Sequence, residues 1–329
     1  MPQPSMKAVV IRAPGGPDVL KIESLPIPTA HPGRVLIRVK AFGLNRSEMF
    51  TRQGHSPGVK FPRVLGIEAV GIVEELGEGV TGLAKGDKVA TAMGGIGRDF
   101  DGGYAEYTCP PATQVQRIET SLPWEVLGAL PEMIQTAWGS LYKALRLQRG
   151  EHLLVRGGTT SVGLAAAALA KQLGATVSST SRSAGRADFL KEGGADHVFV
   201  DDGNLANEVR KTFPDGVDKV LELIGVTTLE DSMACVKIGG IVCMTGIVGN
   251  KWSFSDFNPM EKIPNGVCLT SYSGGSDDFM TTPLGQCAKH VESGALKVHV
   301  GKVFNIDDIV EAHRCMDENK AGGKIVVLT

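Results

Sequence analysis

Two kinds of hydrophobic pattern divide the chain. Up to about residue 123, short apolar runs at residues 7–12, 35–42, 69–76 and 88–92 read as strands, separated by Gly-rich turns at 77–79 and 85–87. In the second run Val35, Ile37, Val39 and Ala41 face one way, and Arg38 and Lys40 the other. Many short strands with Gly turns predict a small, partly open barrel, with a loop at 43–48 continued through 49–54. From Trp124 to Leu147 the spacing turns helical, broken at Pro131. Strand and helix signals then alternate: strands at 153–155, 176–180, 198–200, 217–223, 240–244 and 267–272, with helices at 162–173 and 228–236. That alternation predicts a doubly wound parallel sheet of six strands. The tail, 274–329, carries helices near 284–293 and 306–318 and a strand at 324–328 that is expected to return to the first lobe. The expected organisation is therefore α/β. A barrel domain (1–123) receives the inserted doubly wound domain (124–273), 274–329 rejoins the barrel, and the active cleft lies between the two.

The pattern is most informative at residues 153–182, LLVRGGTTSVGLAAAALAKQLGATVSSTSR. An apolar strand, a glycine turn, an Ala-rich helix stopped by Gly174 and a β-branched strand make one βαβ unit. Free N–H groups and the positive dipole end at the helix start attract a pyrophosphate, and glycines let the backbone approach it. Gly157, Thr159, Thr160, Ser161, Val162 and Gly163 are thus candidate cofactor contacts. At the second strand's end a carboxylate usually holds the ribose 2′-OH of NAD. This chain has Ser181 and Arg182 there, with Arg186 a turn on and its first acid only at Asp188. Ser and Arg neutralise a 2′-phosphate, which favours NADPH. The sheet's switch point brings Ile224, Gly225 and Gly246 to the same crevice.

Composition narrows the classes. A chain of 329 residues exceeds what one core usually serves, and 42% hydrophobic with 21% charged residues describes a globular protein. A net charge of −2 gives no attraction for nucleic acid or a membrane surface. No apolar run approaches the ~18 residues of a membrane span, and the start, MPQPSMKAVV, lacks a signal-peptide core. The expectation is a cytoplasmic protein with neither a nucleic-acid nor a membrane partner. Cys109, Cys235, Cys243, Cys268, Cys287 and Cys315 form no CxxC pair and read as buried thiols of a reducing compartment.

Several stretches taken together resemble the medium-chain dehydrogenase/reductase superfamily, and within it the zinc-independent quinone oxidoreductase (zeta-crystallin-like) branch. They are GLNRSE at 43–48, PRVLGIEAVGIVEELGEGV at 62–80, GDKV at 86–89, GGYAEY at 102–107, TAW at 136–138, GGIVCMTG at 239–246 and HRCMDENKAGGKIVVL at 313–328. The resemblance runs end to end. It implies a GroES-like barrel and a Rossmann domain, NADPH between them, and a homodimer joined through Rossmann edge strands, with 267–272 as the candidate edge. The zinc-dependent relatives carry a Cys ligand where this chain has Asn45 and a His ligand where it has Ile67. Neither supplies a metal ligand, so no metal is expected. Two further departures stand out. Thr160 replaces a glycine of the family's phosphate turn, and Phe50 stands where the family has Tyr, removing a phenolic proton donor.

The resemblance implies hydride transfer from NADPH to a small-molecule quinone or the β-carbon of an enone. It places Asn45 near the nicotinamide, where an amide either donates to the developing oxyanion or simply holds its loop. Thr136 resembles a cofactor contact, and Tyr272 either lines the site or packs the edge strand. Arg52 is expected to face solvent, Tyr104 to pack the barrel, and the seven His residues, without HxxxH or HxH pairing, to be surface or satisfied side chains. The alternatives are an enoyl reductase of a biosynthetic pathway and a non-catalytic protein that binds NADPH or RNA. The absence of a basic, aromatic-lined groove argues against the RNA role.

Overall fold

A computed structural model of the chain, which describes residues 4–329, opens with eight strands. They are β1 (Ser5–Ile11), β2 (Lys21–Pro26), β3 (Val35–Gly43), β4 (Arg63–Val64), β5 (Glu68–Leu76), β6 (Lys88–Ala92), β7 (Tyr107–Thr108) and β8 (Val115–Arg117). Six more follow: β9 (His152–Arg156), β10 (Thr176–Ser181), β11 (His197–Val200), β12 (Val217–Glu222), β13 (Val236–Met244) and β14 (Cys268–Ser271). The last two are β15 (Val300–Asn305) and β16 (Lys324–Leu328). The chain divides into two compact units. The first holds the described residues up to Gln135 with 274–293 and 298–329; the second holds 136–273 with 294–297. The change of unit thus comes after Gln135, twelve residues beyond the helical signal that begins at Trp124.

In the first unit, β1 pairs with β2 and β4, and a seven-stranded sheet runs β15-β16-β3-β5-β6-β8 with β7 also on β3. The alternation of Val35, Ile37 and Val39 is the inward face of β3, and Val35 and Ile37 cluster with Val73, Val89 and Val115. Strand β16 lies antiparallel to β3, Val326 opposite Gly43, so the end of the chain completes the sheet begun near its start.

The second unit is a six-stranded, all-parallel sheet in the order β11-β10-β9-β12-β13-β14. The order reverses between β9 and β12, which creates the switch point where such sheets bind ligands. The helix Ser161–Leu173 buries Gly163, Leu164, Ala165, Ala166, Ala167, Leu169 and Ala170, and ends at Gly174 with φ 90°.

The pattern is silent or misleading in places with a common cause. Strands β2 and β15 are exposed over most of their length, so they show no apolar run. Residues 46–52, expected as loop, form the helix Arg46–Arg52, which buries Glu48 and Arg52 and so disguises its inward face as polar. Arg52, expected to face solvent, is fully buried: its Nη2 donates to both Asp317 oxygens at 2.7 and 2.6 Å and its Nη1 to the Gly15 carbonyl. The helical stretch after Trp124 splits into Trp124–Leu127, Pro131–Trp138 and a π-helical turn Gly139–Ala144. Of the cysteines, four are buried, whereas Cys109 is half-buried and Cys268 is exposed. Among the described residues no helix is long and apolar enough to cross a membrane.

Candidate functional site

The carboxyl ends of β9, β10, β12 and β13 bring most of the predicted cofactor residues together. Gly157 leaves β9 with φ 90°, a left-handed conformation that glycine adopts freely. Its N–H donates to Thr180 Oγ1, fixing the turn to the end of β10. Gly163 lies so close under the turn that a Cβ would sit 2.6 Å from the Gly157 carbonyl oxygen. Thr160 is the N-cap of the helix: its Oγ1 donates to the Gly157 carbonyl (2.8 Å) and accepts from the Gly163 N–H (3.0 Å). The hydroxyl that replaces a glycine here is therefore committed inward and braces the turn. The Ser161 and Val162 N–H groups open the helix with no carbonyl four residues back inside it, the usual donors to an anion.

Beyond β10, Ser181 is buried and caps the Ser183 N–H, while Arg182 and Arg186 are exposed. The Arg186 guanidinium lies 5.6 Å over the Phe189 ring. Across the switch point, Gly225 (φ 105°) and Gly246 approach each other, the Gly246 carbonyl 3.2 Å from where a Gly225 Cβ would be. Thr136 stands in the helix Pro131–Trp138 where the second unit begins. Tyr272 lays its ring against Gly139, leaving no space there for a side chain. Next to it Ser140 and Thr245 share a 2.9 Å hydroxyl contact.

Beneath this crevice is a charged network that the sequence reading passed over. Arg156 ends β9 and Glu222 ends β12, opposite each other in the register. Arg156 is fully buried and binds Asp201 through Nε and Nη2 (both 2.7 Å), and Asp231 through Nη1 (2.7 Å). Burial pulls its pKa down, but Asp201 and then Glu222 and Asp231 outweigh that and leave it raised. Glu222 accepts the Ile224 and Gly225 N–H groups (2.6 and 2.9 Å) and the Thr228 and Ser232 hydroxyls (3.0 and 2.5 Å). The loop at Ile224–Gly225 therefore presents its surface, not its N–H groups, to a ligand. Two charged residues that close the apolar runs Leu153–Val155 and Val220–Leu221 were the available signal.

The first unit holds Asn45. It precedes the helix Arg46–Arg52, and its Nδ2 donates to Glu68 (2.9 Å) and Glu48 (3.4 Å), while its Oδ1 accepts from Lys324 Nζ. Both amide hydrogens face carboxyl groups, the geometry of an amide that holds its loop. Lys324, fully buried, lies 3.0 Å from Glu68 and 3.4 Å from Glu132. Gly43 leaves the space for it: a Cβ there would be 2.5 Å from Lys324 Cε. Glu48 is buried, with Oε1 on the Ile67 N–H (3.0 Å) and Oε2 without a partner among the described residues. Burial raises its pKa to about 7, with the Ile67 N–H opposing and the Glu68 charge adding. Tyr104 packs on Phe42 with ring centroids 4.6 Å apart and meets buried His313 at 3.2 Å.

Residues 31–120 match the alcohol dehydrogenase GroES-like domain family, and residues 193–327 match the zinc-binding dehydrogenase family. The quinone oxidoreductase of Homo sapiens is 29% identical, over 99% of this chain and 98% of its own length. The chain belongs to the medium-chain dehydrogenase/reductase superfamily. Its first unit carries the superfamily's GroES-like domain, and its second is the Rossmann sheet. Another relative within this superfamily match is the acryloyl-coenzyme A reductase of Sulfurisphaera tokodaii, 26% identical over 98% of this chain and 99% of that protein. A mycobacterial protein solved in complex with NADPH superposes with TM-score 0.87 at 28% identity, covering 99% of this chain and all of that one. Zinc does not fit the superfamily's metal positions as this member fills them. Ile67 offers only hydrocarbon, and the Lys324 ammonium already lies on the oxygens of Asn45 and Glu68.

Proposed function

We propose that this protein is an NADPH-dependent reductase that delivers hydride to a quinone or to an activated C=C bond without zinc. The observation that carries the reading is the phosphate turn at the Rossmann switch point, with exposed Arg182 and Arg186 beyond Ser181 where a 2′-phosphate would be held. Relatives named for quinone and acryloyl-coenzyme A reduction, and a neighbour bound to NADPH, support it. Bound NADPH would supply the hydride. Gly157, Gly163 and the first-turn N–H groups of Ser161 and Val162 would hold its pyrophosphate, and Thr159 and Thr160 shape the turn around it. Ile224, Gly225 and Gly246 would floor the crevice, with Thr136 and Tyr272 at its far end. Asn45 anchors the helix Arg46–Arg52 to Glu68 and Lys324.

Two copies would join through β14, which ends the parallel sheet with one unpaired ladder face beside Ile238, 82% exposed. Light scattering at the mass of one chain would exclude that pairing. The activity test is NADPH oxidation, followed by absorbance, with 1,2-quinones, 1,4-quinones and enones in turn. Turnover with one class assigns the acceptor; tight NADPH binding without turnover on any of them supports the non-catalytic alternative.

A further inference from the structure

We propose that Arg156 sets the crevice's preference for a 2′-phosphorylated cofactor by withdrawing the Asp201 carboxylate from the ribose. The inference rests on the reading of this crevice as an NADP(H) site. Along the sequence the first acid after Ser181 is Asp188, but the fold brings a different one to the place. Strand β11 runs beside β10, Val200 is the register partner of Ser181, and the Asp201 N–H donates to the Ser181 carbonyl at 2.9 Å. An acid therefore stands at the strand edge from which Arg182 projects. A carboxylate free at that edge would accept a ribose 2′-OH and repel a 2′-phosphate.

Asp201 is not free. Arg156 engages both of its oxygens in a planar fork, and the Gly203 N–H adds a third donor at 3.2 Å. The fork itself cannot swing away. Arg156 has no exposed surface, and its other terminal nitrogen is tied to Asp231, to Ser232 Oγ (3.1 Å) and to the Thr228 carbonyl (3.0 Å). The neighbouring Glu222 turns its oxygens to Ile224, Gly225, Thr228 and Ser232, so it does not compete for the guanidinium's fork. Arg156 is thus a positioning residue that acts through Asp201. A lysine, with one point charge, would not hold both oxygens in that plane.

The test compares NADPH and NADH dissociation constants, by fluorescence titration, in the full chain. In Arg156→Gln the ratio Kd(NADH)/Kd(NADPH) falls roughly tenfold, and adding Asp201→Asn restores it. Where Arg156→Gln does not fold, Arg156→Lys keeps the charge and loses the fork; its ratio falls by about threefold and is again restored by Asp201→Asn. Asp201→Asn alone leaves NADH binding within about twofold. A purely structural Arg156 would weaken both cofactors alike, so an unmoved ratio overturns the proposal. Selective loss of NADH binding in Asp201→Asn overturns it too, because the carboxylate would already be facing the ribose. A wild-type protein that prefers NADH sinks the NADP(H) reading itself, whereas a wild-type NADPH preference with an unmoved variant ratio sinks only the inference.

Discussion

Each unit sets a buried cation among three carboxyl groups, and the two clusters solve the same charge count differently. In the Rossmann unit Arg156 faces Asp201, Asp231 and Glu222; in the GroES-like unit Lys324 faces Glu68, Glu132 and Glu48. The second-unit acids are all provided for. Asp201 and Asp231 keep some solvent contact, at 10% and 24% side-chain exposure, and Glu222 has four hydrogen-bond donors. In the first unit Glu48 is buried, its Oε2 has no partner among the described residues, and it holds a proton far above the usual carboxyl range. Burial raises the pKa of Glu222 as well, so the two clusters differ in the donors and water offered to their acids, not in the direction of that shift or in the number of opposing charges. The guanidinium, with five N–H groups, holds both oxygens of Asp201 in one fork and reaches Asp231 as well, whereas the ammonium meets Asn45, Glu68 and Glu132 as a single point charge.

The sharpest way to break the comparison is to remove the lone ammonium. Lys324→Met leaves carboxyl groups buried without a cation and should cost about 3–5 kcal/mol in urea denaturation. Adding Glu68→Gln should recover a large part of that loss. A single variant within about 1 kcal/mol of wild type would show that the first cluster is not held by its ion pairs.

Glu48 supplies a pH signature. Its folded pKa of about 7 lies above the ordinary 4.5, so the folded state binds the proton more tightly than the unfolded chain. That contribution to stability is complete below pH 4.5, is lost as pH rises from 4.5 to about 7, and is constant above. Its full size is about 3 kcal/mol. Glu48→Gln should flatten the melting temperature between those limits and exceed wild type at pH 8. Parallel pH profiles for the two proteins would show that Glu48 does not carry this signature.

Smaller effects are expected in the nucleotide unit, where charge is better matched. Arg182→Ala should weaken NADPH about tenfold and NADH by less than about twofold; equal weakening would take the 2′-phosphate away from Arg182. Thr160→Val removes the cap over the phosphate turn and should cost about 1 kcal/mol of stability. Unchanged stability would show that the Gly157–Thr160–Gly163 bonds do not brace the turn.

Much of the nucleotide site is legible in the chain because its determinants are local. The turn, cap and helix at 157–173 are neighbours in sequence, and period and glycine placement report them directly. Strands β6 and β16 fall where the apolar runs place them. The helix Arg46–Arg52 was hidden because periodicity assumes that charges point outward, and here Glu48 and Arg52 point in. Asn45 was identified as important, but its partner Lys324 lies 279 residues away, beyond the reach of any local pattern.

By itself, the sequence determined the alternation of strand and helix, the glycine turn and the basic end of β10. These follow from backbone conformational preference and side-chain chemistry, which act over a few residues. The tertiary structure alone decided which charges meet. Strand order set β11 beside β10 and β16 beside β3, and so brought Asp201 to Arg156 and Lys324 to Glu68. An ion pair's partner is chosen by packing in space, because burial makes any unmatched charge too costly to leave in place.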